Sequence, residues 1–326
     1  MARWFRGVPL ALATLAGGSG LAGCPSTDGF TGGGGDAAND TNQAPDVASD
    51  GETADAADGG SDGGRCDLAK PFTTPTGIGP SDDNTVPIYG ARMSADELTM
   101  VYVEDDPLPN DGGIDPNLYM TTRANTSSLF SAGTKIPVVN SAVDDVDPFL
   151  SDDGLTLWFS SLRVSPMQFF VTHRANALSQ FSVPVAVSSN GINVDVQNVF
   201  FMPDGVNAYF IESLATSNSI ELAQVTPDAG IQNPTDAYLP QDGSQWPCVT
   251  GDGLTMIYDF QDGNGVYLST RASTSVTFAP GAPVAELNGP SNTYTFPTWI
   301  SRDGCDVALS SDRSGVLQIY TAHRGQ

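Results

Sequence analysis

Carboxylates are the side chains of this sequence with the greatest capacity for chemistry. The chain holds 38 Asp and Glu against 13 Lys and Arg, a formal net charge of −25. Asp144, Asp145 and Asp147 form the best local cluster. Such carboxylates serve as solvated loop charges, as oxygen ligands for Ca²⁺, or as a pair that hydrolyses glycosidic bonds. The charge balance excludes nucleic acid as a partner, because a surface that binds nucleic acid requires clustered Lys and Arg.

Sequence patterns for other chemistries are missing. The two histidines, His173 and His323, occupy equivalent positions of a repeat and have no Cys or acid at metal-site spacing. The sequence contains neither a Gly-x-Ser-x-Gly motif nor a phosphate-binding loop. We therefore assign no catalytic residue from the sequence, and calcium is the one cofactor that we keep as an alternative.

The first 24 residues have the layout of a secretion signal. Arg3 and Arg6 form a short basic head, and residues 8–16 form an apolar run too short to span a bilayer. The segment Leu21-Ala22-Gly23-Cys24 resembles the lipobox of bacterial lipoproteins. This resemblance implies that residues 1–23 are removed and that Cys24 carries a lipid. An ordinary signal peptide with a chance Cys is the alternative.

An acidic tether is predicted after the lipidated cysteine. Residues 25–65 contain ten Gly, nine Asp or Glu and a single aromatic, Phe30. This composition buries too little apolar surface to offset chain entropy, so residues 24–65 are interpreted as a disordered linker. Pro25 stands where enteric lipoproteins carry Asp for inner-membrane retention. The resemblance therefore implies a membrane partner, held through the lipid, at the outer membrane of the cell envelope.

Five copies of one unit fill residues 66–326. Each copy has a short apolar strand, an Asp turn and a second strand of alternating polarity. The turn aspartates are Asp96, Asp153, Asp204, Asp252 and Asp303, at spacings of 57, 51, 48 and 51 residues. In four of the copies Gly follows the Asp directly. Asp-Gly between two apolar runs is a strong hairpin signal, because Gly takes positive φ at low cost.

A third strand and a weaker fourth strand complete each unit. The third strand is followed by Arg123, Arg174, Arg271 and Arg324 in four units, and unit three lacks this Arg. Four short strands in about 50 residues predict one propeller blade. The last unit supplies only three strands, and residues 72–78 resemble the missing fourth. The sequence predicts an all-β, five-bladed β-propeller closed by N- and C-terminal strands that share one blade, with six blades as the less favoured alternative.

The repeats resemble the TolB-type, WD40-like propeller family. Units of that family carry a Pro, then Ser-x-Asp-Gly, then Leu-x-Phe-x-Ser, then Tyr-x-x-x-Arg, and the unit around Pro148, Ser151 and Asp153 is similar. The resemblance covers about residues 66–326 and implies the fold, but it indicates little about activity. TolB itself has six blades, whereas this sequence has five units.

Blade connectivity sorts the loops onto two faces. The Asp turns share one face, and the links between second and third strands and between blades share the other. The acids assigned to this other face are Glu104, Asp105, Asp106, Asp111, Asp115, Asp144, Asp145, Asp147, Asp195, Glu212, Asp259, Asp262 and Asp312. Trp246 and Tyr294 are expected just before innermost strands near the same mouth. A concave acidic funnel attracts cations and basic partners.

This funnel carries the functional hypotheses. The leading one is a non-enzymatic binding or scaffold module for a protein, peptide or glycan. Its candidate binding residues are Glu104, Asp144, Asp145, Asp147, Asp195, Glu212, Trp246, Asp259 and Tyr294. The alternative is a surface carbohydrate-active enzyme that uses funnel carboxylates, as in some five-bladed propeller glycosidases. The group of Asp144, Asp145 and Asp147 is also the candidate calcium cluster.

One disulfide is predicted, because export places the chain in an oxidising space. With Cys24 lipidated, Cys66, Cys248 and Cys305 remain, and one pair leaves one thiol free. Cys66 precedes the closing strand, and Cys305 begins a strand of the closing blade. We favour the pair Cys66–Cys305, with Cys248 as a buried thiol. A bond to Cys248 is the alternative.

Overall fold

The computed structural model describes residues 65–79, 85–108, 113–164, 167–187, 196–202, 204–213, 218–226, 230–236, 243–260, 265–291 and 293–325. Twenty strands form five antiparallel four-stranded sheets. Among these described residues, no helix is long and apolar enough to cross a membrane. The predicted signal, Cys24 and the predicted linker up to residue 64 lie outside the described residues.

Each sheet contains four strands, and strands that are neighbours in a sheet also follow one another along the chain, except for one strand of the fifth sheet. The first sheet contains β2 Ile88–Met93, β3 Thr99–Pro107, β4 Ile114–Thr122 and β5 Thr134–Lys135. The second contains β6 Asp145–Leu150, β7 Thr156–Ser161, β8 Gln168–His173 and β9 Val185–Ala186. The third contains β10 Val196–Phe201, β11 Asn207–Ser213, β12 Asn218–Thr226 and β13 Gly230–Asp236. The fourth contains β14 Ser244–Val249, β15 Thr255–Phe260, β16 Val266–Thr270 and β17 Ala282–Pro283. The fifth contains β18 Thr295–Ile300, β19 Asp306–Ser311, β20 Gln318–His323 and β1 Thr76–Gly77.

The first strands of the five sheets surround a common axis. Strand β2 contacts β6 and β18, β10 contacts β6 and β14, and β14 contacts β18. These contacts join the first strands into a closed ring, so each sheet is a blade. The predicted five-bladed propeller is confirmed. The apolar core lies between neighbouring blades, as where Met100 and Tyr102 of one blade pack with Trp299 and Ile319 of the next.

The fifth blade is shared between the two ends of the folded region. Strand β1 pairs antiparallel with β20, with Thr76 opposite Thr321 and Gly77 opposite Tyr320. A separate bridge joins Phe72 to Arg324. The predicted closure is confirmed, although regular strand structure is limited to Thr76–Gly77 rather than all of residues 72–78. The ring leaves no blade without a neighbour on either side, which removes open edges between sheets.

A covalent bond and an ion-pair cluster fasten this closure. Cys66 and Cys305 form the predicted disulfide, with their Cα atoms 5.7 Å apart. Cys248 is a free, buried thiol, as predicted. Next to the disulfide, the Arg65 guanidinium forms ion pairs at 2.6, 2.8 and 2.7 Å with the carboxylates of Glu97, Asp303 and Asp306 respectively. These contacts tie the residues before β1 to the first and fifth blades.

The repeated arginines hold the outer part of four of the blades. Their Nε atoms donate to main-chain carbonyls of the Asp turns, at Glu97, Gly154, Gly253 and Gly304. The same guanidinium groups stack on Phe130, Phe181, Phe278 and Phe72. In the other three blades the stacking ring comes from a loop of the same blade. In the fifth blade Phe72, from the N-terminal segment, supplies this ring to Arg324. In unit three the sequence lacks this Arg, and β12 leads into the longer strand β13.

The Asp turns owe their shape to the carboxylate as well as to glycine. Oδ1 of Asp252 accepts hydrogen bonds from Thr250 Oγ1 at 2.6 Å and from the Leu254 amide at 2.9 Å. The following Gly253 has φ of 71°, which favours glycine. We expect Asp252→Ala to lower the free energy of unfolding by about 1–2 kcal/mol in urea denaturation. Asp252→Asn keeps the acceptor and should stay near the wild type. Equal losses in both variants would contradict the assignment.

Candidate functional site

A bulge interrupts every first strand at the same level of the axis. The register shifts after Tyr89, Val146, Gln197, Gln245 and Pro297. Asp147, Asn198 and Trp246 take positive φ there, at 52°, 51° and 54°. A bulge re-aims the side chains around it, and it is a frequent feature of functional sites. The predicted position of Trp246 is corrected, because this residue lies inside β14 rather than before it, whereas Tyr294 directly precedes β18.

Three acids with raised pKa values meet where the first blade faces the second. Tyr89 of β2 donates a hydrogen bond from its hydroxyl to Oδ1 of Asp105, at 3.2 Å. Burial raises the pKa of this phenol, and the charges of Asp105, Asp147 and Asp144 add to the rise. We call Tyr89, Asp105, Asp144 and Asp147 the Tyr89 cluster. The cluster lies at the end of β3 and the start of β6, on the face predicted to be acidic.

Burial dominates the electrostatics of the Tyr89 cluster. Asp105 is only 4% exposed, and its pKa is raised to about 6 by burial, against the hydrogen bond from Tyr89. The pKa of Asp147 is also raised to about 6 by burial, which outweighs the Asn198 amide and the Arg92 charge. Burial raises the pKa of Asp144 as well, and Asp115 adds to this rise. In all three carboxyl groups burial thus disfavours the charged form.

Several neighbouring acids have protein partners instead. Asp106 accepts hydrogen bonds from the Tyr119 hydroxyl at 2.8 Å and from Lys135 Nζ at 3.0 Å. Glu104 accepts a longer hydrogen bond of 3.4 Å from the Tyr102 hydroxyl, and burial raises its pKa. Among the described residues none of the Tyr89 cluster carboxylates forms an ion pair. In this respect they differ from Asp106, which Lys135 pairs, and resemble Glu104.

The predicted calcium cluster is divided between two roles. Asp145 is fully buried and forms an ion pair with Arg163 at 2.6 Å, while Ser141 donates to its other oxygen. Asp144 and Asp147 belong to the Tyr89 cluster. Within the part of the chain that the structure describes, no three His, Cys, Asp or Glu residues are grouped to hold a metal. Calcium binding by Asp144, Asp145 and Asp147 stays a prediction.

Aromatic side chains lie between the fourth and fifth blades, across the axis from the cluster. The ring centroid of Trp246 is 4.4 Å from that of Phe296, and Tyr294 is 5.2 Å from Phe296. The Tyr294 amide donates to Asp312 at 2.8 Å. Asp259 is fully buried in β15, opposite Gln245. The acidic end of the axis therefore joins carboxylates of two blades with aromatic rings of two others.

The remaining predicted funnel residues are placed only in part. Asp111, Asp195 and Asp262 lie outside the described residues, and Glu212 is placed by its main chain alone in β11. Asp115 lies in β4 rather than in a loop, and its carboxylate accepts from Asn117 Nδ2 at 2.9 Å. Sequence analysis missed Tyr89. Its only signal was an aromatic residue in an innermost strand, and its contact with Asp105 depends on the pairing of β2 with β3, in which Tyr89 lies opposite Val103.

Sequence comparisons place the chain in no known family. No protein-family profile matches it, and no curated protein matches its sequence. The fold and the geometry of the Tyr89 cluster are therefore the basis for a functional proposal.

Solved structures of similar fold include TolB and several enzymes. TolB from Acinetobacter baumannii aligns with 13% identity and a TM-score of 0.41 over 74% of this chain and 56% of TolB. This chain thus spans just over half the length of that protein. The alpha-L-arabinofuranosidase PaAbf62A from Podospora anserina aligns with 11% identity and a TM-score of 0.49, over 79% of this chain and 97% of the enzyme. The periplasmic gluconolactonase of Pseudomonas aeruginosa aligns with 13% identity and a TM-score of 0.42 over 70% of each chain.

Proposed function

We propose that this protein is a non-enzymatic propeller binding module that holds a cationic group of a protein or peptide at the Tyr89 cluster. The observation that carries the proposal is the set of carboxylates on Asp105, Asp144 and Asp147, whose pKa values are raised by burial and which form no ion pair among the described residues. A buried carboxylate is costly when unpaired and strongly attractive to a cation that completes it. A Lys or Arg side chain of a partner supplies that charge together with N–H donors.

The setting of the Tyr89 cluster supports a protein or peptide ligand over a simple ion. At the same end of the axis Tyr294 is only partly buried, and its ring packs against the buried Phe296. Aromatic rings attract guanidinium and ammonium groups through their negative faces and pack on their alkyl stems. The net charge of −25 adds a long-range field that draws basic partners to the protein.

Binding of a hexa-arginine peptide to the full chain, measured by calorimetry, tests the proposal. We expect Asp105→Asn to weaken binding about tenfold, because it removes a carboxylate that the cation would pair with. Asp312→Asn is the matched control, since it removes the same charge from the same face but lies beside Tyr294. Affinity should also fall as the pH is lowered through about 6, because Asp105 and Asp147, each with a pKa of about 6, then become protonated.

Two results would contradict this proposal. Equal weakening by Asp105→Asn and Asp312→Asn would show that only the net charge attracts the peptide. Affinity that does not change between about pH 7.5 and about pH 5 would show that groups with a pKa of about 6 take no part in binding.

A carbohydrate-active hydrolase is the second candidate function. It is favoured by one observation, the raised pKa values of about 6 that burial gives to both Asp105 and Asp147. A carboxyl group that stays protonated near neutral pH can act as a general acid in glycoside hydrolysis, with a second carboxylate as its partner. Cleavage of any member of a glycan panel, abolished by Asp147→Asn, would replace the binding proposal with this one.

We further propose that the protein is a lipoprotein of the bacterial outer membrane, anchored through Cys24. The lipobox-like segment Leu21-Ala22-Gly23-Cys24 supports this location. The disulfide between Cys66 and Cys305 agrees with an oxidising compartment. Mass spectrometry of the membrane-extracted protein tests the anchor: the mature N-terminus should be an acylated Cys24, and an unmodified N-terminus elsewhere would contradict it.

A further inference from the structure

Each of the five blades exposes an aliphatic side chain on the face of the Asp turns. Leu178 of the second blade is 99% exposed, and the other four are between 49% and 72% exposed. A single residue of this kind is common on a protein surface, but here one recurs in every blade around the axis. In the order of the blades they are Leu129, Leu178, Val206, Val276 and Leu68, and we call them the aliphatic ring. On the opposite face the exposed aliphatic side chains of the described residues come from the first two blades only.

The repeated arginines hold the aliphatic ring in place. Through Nε these arginines donate to the Asp turns. Through Nη1 they donate to a carbonyl of the segment that carries the aliphatic residue, at Thr126, Ala177, Val276 and Leu68. In the third blade, which lacks this Arg, Val206 lies in the turn itself, and its amide donates to Asp204 Oδ1 at 2.9 Å. The aliphatic ring is therefore fixed to the turns of the five blades.

The face that carries the aliphatic ring has little net charge. The Asp turns and the segments held by the arginines contain seven of the eleven Lys and Arg of residues 65–326, but only nine of the 29 Asp and Glu. The bases are the four repeated arginines, Arg65, Lys70 and Arg302, and the acids are the five turn aspartates, Asp67, Glu97, Asp152 and Asp306. The rest of residues 65–326 has 20 acids against four bases. The excess negative charge of the chain thus lies outside this face.

The chain also enters the folded region on the face of the Asp turns. Arg65, the first described residue, forms ion pairs with Glu97 and Asp303 of two Asp turns, and Cys66 is bonded to Cys305 beside one of these turns. Residues 25–64 separate this point from Cys24. A flexible segment of that length spans roughly 35 Å. A lipid on Cys24 would keep this face close to the membrane and make any contact with it intramolecular.

We propose that the aliphatic ring rests on the lipid surface that holds Cys24, with the Tyr89 cluster directed away from the membrane. The proposal takes up the anchor proposed above and adds the orientation of the propeller. Aliphatic side chains that enter the headgroup boundary bury apolar area there. Anionic lipids repel the acidic remainder of the chain more strongly than the nearly balanced face. The acidic face is then open to partners in the aqueous space.

Fluorescence quenching by brominated lipids tests this orientation. The chain from Cys24 onwards contains every described residue, and it can be coupled through Cys24 to a maleimide lipid in vesicles of phosphatidylethanolamine and phosphatidylglycerol. The coupling is specific, because Cys248 is buried and Cys66 and Cys305 are bonded to each other. Bromine on part of the acyl chains quenches a Trp that reaches the headgroup boundary, and the same vesicles without bromine are the reference.

A Trp introduced into the aliphatic ring should be quenched. Leu178→Trp should lose more than about half of the emission that it adds to the wild type, because it would lie within about 5–10 Å of the acyl boundary. Leu162→Trp is the matched control, since Leu162 is also exposed, at 39%, but follows β7 on the opposite face. Its added emission should not change. Leu129→Asp and Val276→Asp, introduced together into Leu178→Trp, should restore the emission because they place charges at the boundary.

Three results would overturn the proposal: no quenching of Leu178→Trp beyond the wild type, equal quenching of Leu162→Trp, or quenching that survives the two Asp substitutions. The first result together with a dimer in sedimentation would assign this face to a second copy of the chain. Chemical coupling supplies the anchor, so the outcome does not depend on whether the cell acylates Cys24. The Tyr89 cluster is unchanged in all of these variants, and its own titration decides the binding proposal separately.

Discussion

Replacing Cys66 and Cys305 together by Ser should lower the free energy of unfolding by about 5 kcal/mol, from the loop-closure entropy of a bridge that spans 239 residues. The bond joins the segment before β1 to the start of the closing blade. Without it, the shared blade is held by noncovalent contacts, which include the β1 pairing, the Phe72–Arg324 bridge, the Arg65 ion pairs and hydrogen bonds from Arg324 to the segment before β1. Chemical denaturation under non-reducing conditions measures the loss.

The reduced wild type provides the matched control for this prediction. Adding dithiothreitol to the wild type should reproduce the loss, and adding it to the double variant should change nothing further. A loss below about 1 kcal/mol in both experiments would show that noncovalent contacts alone close the ring. The free thiol of Cys248 is buried, so it should not form a replacement disulfide without unfolding.

The second large effect concerns pH. The free energy of unfolding should fall as the pH rises from about 4 to about 6.5. Burial raises the pKa of Asp105 and of Asp147 from the ordinary 3.8 to about 6. The folded protein therefore binds more protons than the unfolded chain in this window, and raising the pH favours unfolding. Each shift corresponds to at most about 3 kcal/mol. Burial raises the pKa of Asp306 to about 6 as well, with the same sign.

Replacing Asp by Asn should have opposite consequences at Asp105, whose pKa is raised, and at Asp153, whose pKa is lowered. Asp105→Asn keeps an oxygen for the Tyr89 hydroxyl and should raise the free energy of unfolding by about 1–3 kcal/mol at about pH 7.5, with no gain near pH 4. Asp153→Asn should show no such gain. Hydrogen bonds from Ser151 and the Leu155 amide hold the pKa of Asp153 below its ordinary value. Its contribution is therefore present above that value and lost at lower pH. A gain in both variants would indicate net-charge repulsion instead.

The fold could be predicted because its signals are local and repeated. The turn around Asp153 needs only its carboxylate and Gly154, so each copy of the pattern identifies a hairpin. The shared blade could be predicted by counting strands, since the last unit lacked one strand and residues 72–78 could supply it. The disulfide of Cys66 and Cys305 followed from the same closure.

The site could be predicted only as a face, because its details depend on strand register and on the bulges. A sequence with period two does not show where an extra residue interrupts the pairing, and Asp147 lies at such an interruption. The partners of each acid were also hidden. Asp145 and Asp147 belong to one strand, yet among the described residues Asp145 is paired with Arg163 while Asp147 forms no ion pair.

The shared fifth blade has a consequence for how the chain acquires its structure. Strand β20 ends at His323, and its partner β1 begins at Thr76, so one sheet requires segments from the earliest and latest parts of the folded region. Four sheets can form in order as the polypeptide is made, but the fifth must wait for β20. Contacts of such sequence separation slow folding. Until β20 has been made, the segment from Arg65 to Gly77 lacks its partner strand.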